Sequence, residues 1–92
     1  VSNVHELKTW PPHFEHVRLG AKRFEVRSTL DREFAIGDVL VLREWDPATK
    51  AHTGRTCSVV VTHMLEGPAF GIPEGVCIMS IALRRERDGG AA

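Results

Sequence analysis

The segment Val39 to Trp45 constrains the fold most tightly. Its period of two puts Val39, Val41, Arg43 and Trp45 on one face and Leu40, Leu42 and Glu44 on the other. Apolar residues on both faces imply a strand that is covered on each side, as in a sheet curled into a small barrel. A second strand, Arg55 to Leu65, carries the β-branched run Val59, Val60, Val61, Thr62 and should pair with it antiparallel. Between them, Asp46-Pro47 to Thr53-Gly54 reads as a long hairpin loop rich in turn residues.

The remaining segments fit around that pair. Val4 to Lys8 alternates and reads as a first strand with Leu7 facing the core. Trp10-Pro11-Pro12 opens a short helix that runs to about Leu19, with Phe14 and Val17 on its buried face and Arg18 in its last turn. Gly20 ends the helix in a left-handed conformation. Gly67-Pro68 to Glu74-Gly75 is an ordered loop pinned to the body by Phe70 and Ile72. Val76 to Leu83 is the last strand, and 84–92 reads as a disordered, charged tail. A strand, a helix and then four strands predict one α+β domain over residues 1–83: a mixed or antiparallel β pseudo-barrel of about five strands with one helix after the first.

The functional signal is concentrated in Gly20-Ala21-Lys22-Arg23-Phe24-Glu25-Val26-Arg27. A strand from Arg23 to Arg27 sends Phe24 and Val26 to the core and Arg23, Glu25 and Arg27 to a polar face, with Lys22 swung towards that face by the turn at Gly20. The three groups Lys22, Glu25 and Arg27 either line one cleft or form the solvated face of an edge strand, where their ion pairs contribute under ~1 kcal/mol.

Charge narrows the ligand. Twelve Lys and Arg against twelve Asp and Glu leave the 92 residues without net charge, so the broad positive field of many duplex-DNA binders is missing. Residues 1–32 nevertheless hold six basic side chains against four acidic ones, and residues 33–83 hold three against six. An anionic ligand should therefore meet the N-terminal third. Cys57 and Cys77 lie in apolar runs and read as free buried thiols, and nothing resembles a secretion signal, so a reducing cytoplasm is the expected setting. No apolar run approaches the roughly 20 residues that span a bilayer. His13 and His16 share a helix face without a third ligand of fitting spacing, so neither a metal nor a cofactor is expected. The oligomeric state is left open.

In order along the chain, His5-Glu6-Leu7-Lys8, Gly20-x-Lys22-x-x-Glu25-x-Arg27, Asp31-Arg32-x-Phe34-x-x-Gly37-Asp38, Leu42 to Pro47, Thr53-Gly54-Arg55 and Phe70-Gly71-Ile72-Pro73 together resemble an ASCH domain of the PUA-like superfamily. More narrowly, the chain is similar to the small bacterial and phage branch catalogued as DUF3850. The resemblance covers about Val4 to Leu83. It implies a PUA-like pseudo-barrel with a cleft between barrel and helix, and a role in binding RNA or a nucleotide-like small ligand. Where relatives often place aromatic residues, this chain has His52 and Val76.

On that reading Lys22 and Arg27 contact phosphate or a base edge, and Lys8, Arg23 and Arg32 extend the basic surface. Glu25 orients the cations or accepts from a base amine, His5 and Lys8 stand at the rim, and Trp10 or Trp45 offers a stacking face. The resemblance also implies an enzymatic alternative. Some small ASCH proteins are amidohydrolases acting on acylated cytidine and others are ribonucleases. Lys22 matches the amidohydrolase lysine, whereas Glu25 stands where those enzymes carry threonine. Lys22 and Glu25 would then be catalytic, with Arg27 stabilising the developing negative charge. A non-catalytic protein-interaction or regulatory module is a third class, marked by a contiguous exposed apolar patch.

Overall fold

The computed structural model describes residues 3–84 and contains five strands and one helix. These are β1 (Val4–Thr9), α1 (Pro11–Arg18), β2 (Phe24–Ser28), β3 (Val39–Asp46), β4 (Ala51–Glu66) and β5 (Val76–Leu83). The strands form one curled half-barrel sheet in the order β1-β3-β4-β5-β2. β1 runs parallel to β3, and the other pairings are antiparallel. The element order and the mixed sheet agree with the pattern read from the sequence. Of the expected disordered tail only Arg84 is described, its N–H donating to the Ser58 carbonyl at 2.9 Å; 85–92 lie outside the described residues.

Alternation decides what the concave face holds. Leu7, Leu40, Leu42, Val59, Val61, Cys77, Met79 and Ile81 point inward and meet Phe14 and Val17 of α1, together with Phe34. Phe14 and Val17 are three apart, hence on one helix face, and are shut from solvent. Burying one such side chain stabilises the fold by about 1.5–3 kcal/mol. The helix packs on β3 and β4, the middle of the sheet. Its main contacts are not with the two outer strands, β1 and β2, whose inward residues Leu7, Thr9 and Glu25 are buried nonetheless.

Three expectations about this framework need correction. The long loop between β3 and β4 is a tight turn over 47–50, and β4 begins at Ala51, so Thr53-Gly54-Arg55 lies within a strand. The register jumps from Arg43↔Thr56 to Trp45↔His52, which leaves residues 53–55 opposite Glu44 alone. Gly54 makes this bulge possible by adopting φ +96°, a conformation L side chains rarely take. The turn residues in this stretch mark a bulge as well as a turn. Phe70 does not pin the 67–75 loop: it is 88% exposed, and Ile72 alone is buried. Cys57 is partly exposed while Cys77 is buried; both are free thiols, pushed above the ordinary range by burial.

Candidate functional site

The helix ends by handing the chain to β2 in a fixed orientation. Leu19 N–H donates to Glu15 O at 3.0 Å, Gly20 takes φ +83°, and the N–H groups of Ala21 and Lys22 both donate to His16 O at 2.9 and 3.0 Å. Two donors on one carbonyl of the last turn, with Gly20 N–H on the Val17 carbonyl, pin the Lys22 backbone beside β2. Its Nζ then reaches 3.6 Å from Glu25 Oε2 and 5.2 Å from the Phe24 ring.

Glu25 reverses the face assignment expected for this strand. It is only 2% exposed, whereas Phe24 and Val26 are 48% and 50% exposed. The register explains why: Glu25 pairs with Met79, which pairs with Met64, so Glu25 belongs to the concave row of the sheet. β2 is an edge strand, and its concave side borders the space that α1 leaves open. A carboxylate is tolerated there because cations flank it. Arg27 Nε donates to Glu25 Oε1 at 3.1 Å, and Lys22 stands on the other side. Glu25 Oε2 is buried yet has no hydrogen-bond partner.

Arg27 also spans the gap in the half-barrel. Its Nη2 donates to the Lys8 carbonyl at 3.2 Å and to Thr9 Oγ1 at 3.4 Å, tying β2 to the end of β1 across the open seam. Around this bridge lies an open cleft of about 770 Å³. Lys8, Thr9 and Trp10 form one wall, His13, His16 and Ala21 another, and Lys22 to Arg27, without Arg23, the third. A volume of roughly 300–1,000 Å³ suits a small organic ligand. Trp10 is half-exposed on the rim. Lys22, Glu25 and Arg27 carry a net charge of +1 together, so the cleft favours an anion; Lys8 lines the cleft, but its ammonium lies against Trp45, outside it.

Other residues singled out from the sequence lie elsewhere. Arg23 donates through Nε to Gly20 O and faces a separate hollow bounded by Val17 and Leu83. Arg32 lines a third hollow with Glu6 and Asp31, on the far side of Arg27. His5 is not at the rim: its Nε2 is 2.8 Å from Asp38 Oδ2 and its ring lies 4.6 Å from that of Phe34. Trp45 is capped by Lys8, whose Nζ sits 4.2 Å from the ring centroid. Conversely, Thr9, His13 and His16 belong to the cleft, and nothing in their spacing marks them for it beyond the shared helix face of the two histidines. Among the described residues no group of three or more His, Cys, Asp or Glu is placed to hold a metal, and no helix is long and apolar enough to cross a membrane.

A second charged cluster fixes the helix from its other side. Buried Glu44 accepts from Thr53 Oγ1 at 2.8 Å and pairs with Arg55 Nε at 3.5 Å. Arg55 Nη2 continues to Glu15 Oε1 at 2.6 Å, and its guanidinium lies 5.0 Å from the Phe14 ring. Hydrogen bonds from Arg18 and then Arg55 hold the Glu15 carboxyl down to about 2. The bulge at Gly54 thus brings Thr53 and Arg55 to one carboxylate and clamps α1 onto β4.

Residues 4–81 match the family described as "Domain of unknown function (DUF3850)". The chain belongs to the DUF3850 family. The match runs from the first residue of β1 into β5 and includes every residue of the cleft. No curated protein matches the chain.

Proposed function

We propose that this DUF3850 chain is a PUA-like domain of the ASCH type, and that its cleft binds a nucleotide or a short single-stranded RNA segment. One observation carries the reading: two cations converge on a buried carboxylate with a spare acceptor oxygen, inside a cleft flanked by a half-exposed tryptophan. Lys22 takes the phosphate, Arg27 and Glu25 take polar atoms of the ribose or the base, and Trp10 stacks on the base, a contact worth about 1–3 kcal/mol. Glu25 keeps the two cations oriented before the ligand arrives, so binding does not have to order them. A reducing cytoplasm is the proposed setting, in keeping with two free thiols.

Titration of labelled single-stranded RNA at two salt concentrations tests this. A protein carrying both Lys22→Ala and Arg27→Ala should bind at least about tenfold more weakly and show a shallower salt dependence than wild type. Equal affinity of the two proteins would remove the proposal.

The hydrolase alternative uses the same cleft and draws on the closeness of Lys22 Nζ to Glu25 Oε2, 3.6 Å, with Thr9 beside Arg27. Incubation with acylated cytidine checks it directly, and absence of released cytidine would dismiss it.

A further inference from the structure

The direction of the backbone hydrogen bonds along β2 follows from its two ends. Ile81 N–H donates to Arg23 O at 3.0 Å, and Thr29 N–H donates to Gly75 O at 2.8 Å. Bonded and non-bonded pairs alternate along an antiparallel ladder. With Phe24 opposite Ser80 and Ser28 opposite Val76, the bonded residues are Arg23, Glu25, Arg27 and Thr29. Phe24 and Val26 therefore turn their N–H and C=O groups away from β5, towards the seam with β1. Both residues line the cleft, and among the described residues no strand pairs with that side of β2.

Resting on the nucleotide reading above, we infer that this free edge reads the ligand's base: the N–H and C=O of Val26, or of Phe24, pair with adjacent donor and acceptor atoms on the base's own pairing edge. An extended residue points both groups the same way, which is the arrangement a planar base edge requires. The next outward-facing residue, Ser28, lies in a different hollow and turns its hydroxyl to Leu30 N–H. The free edge inside the cleft is thus two residues, spanning roughly 6.7 Å. That is short for an added peptide strand, which depends on a row of main-chain bonds, and suits one base with Trp10 alongside. The ligand class is then a nucleotide whose pairing edge is unblocked.

The experiment uses ¹⁵N-labelled protein and the four nucleoside 5′-monophosphates. The tightest of them is compared with its counterpart methylated on the pairing edge and with ribose 5-phosphate. The Val26 or Phe24 amide should shift and gain exchange protection on binding, and edge methylation should weaken binding about tenfold or more. Val26→Pro removes only a seam-facing N–H, a position where an edge strand tolerates proline; it should lose similar affinity with an unchanged circular dichroism spectrum. Should that variant misfold, the methylated nucleotide still decides. Equal binding of the methylated nucleotide, with both amides unmoved, would overturn this inference and leave the cleft assignment standing. Failure of the four monophosphates and of labelled single-stranded RNA to bind wild type would overturn both. An extended peptide that protects the same amides when no nucleotide does would overturn it in favour of strand addition.

Discussion

Asp38 and Glu25 are each only 2% exposed, yet their surroundings differ completely. Asp38 is saturated. Its Oδ1 accepts from Asn3 N–H at 3.1 Å, and its Oδ2 accepts from Ala35 N–H at 3.0 Å and pairs with His5 at 2.8 Å. Burial pushes the Asp38 carboxyl up, but the bonds from His5, Asn3 and Ala35 outweigh it and hold the group below the usual carboxylate range. Glu25 has one oxygen bonded to Arg27, and the other has no hydrogen bond, only the Lys22 ammonium at 3.6 Å. A closed set of partners stabilises a fold, whereas an unmet acceptor between two cations costs stability and is kept where a ligand can use the site. Two equally buried acids thus separate a part of the molecule whose acceptors are met from a part with one still unmet, and the proposed binding role rests on the second.

Substitution of the two acids should separate them most strongly. Asp38→Ala leaves the N–H groups of Asn3 and Ala35 without their acceptor and should cost about 3 kcal/mol in urea unfolding. Glu25→Gln should change stability by less than about 1 kcal/mol, since Lys22 and Arg27 both reach solvent. Equal losses at the two positions would erase the distinction. Binding should reverse the order: Glu25→Gln weakens nucleotide binding, and Asp38→Ala, measured below its unfolding temperature, does not.

Acid sharpens the same contrast. A carboxyl held low in the folded state contributes stability that is present above its unfolded value and lost as pH falls towards the folded one. Glu15, at about 2 against an ordinary 4.5, should therefore lose its contribution between those two values, and Asp38 should lose its own in the same direction. A melting temperature followed from pH 6 downwards should fall most steeply below about 4.5, and Asp38→Ala should flatten part of that fall. A smaller effect is expected from His5→Gln, about 1 kcal/mol in unfolding, because two backbone donors to Asp38 remain.

The sheet was legible because Val39 to Trp45 and Val76 to Leu83 are largely apolar runs of strand length that follow turn residues, and because Gly20 and Pro11 bracket a single helix. The convergence of Lys22, Glu25 and Arg27 was legible from the period of two along β2 and the turn at Gly20. The orientation of β2 was not. Period-two reasoning buries the apolar set, Phe24 and Val26, and at an edge strand beside an open cleft the rule inverts because cations from the turn and from the strand itself accompany the carboxylate inward. In sequence Gly54 reads as a turn residue, because a positive φ such as its +96° serves a turn or a bulge equally, and only the register distinguishes them. His5 looked accessible because Asp38 lies 33 residues away in sequence, and a long-range ion pair leaves no local pattern.

The most direct measurement is the melting temperature of wild type and of the Lys22→Ala, Arg27→Ala double variant, each with and without a saturating nucleoside monophosphate. A ligand that binds the folded state raises it; at one hundred times the dissociation constant the stabilisation is about 2.7 kcal/mol. Wild type should show that rise and the double variant almost none. A rise of the same size in both proteins, or in neither, would contradict the assignment of the Glu25 cleft as the binding site.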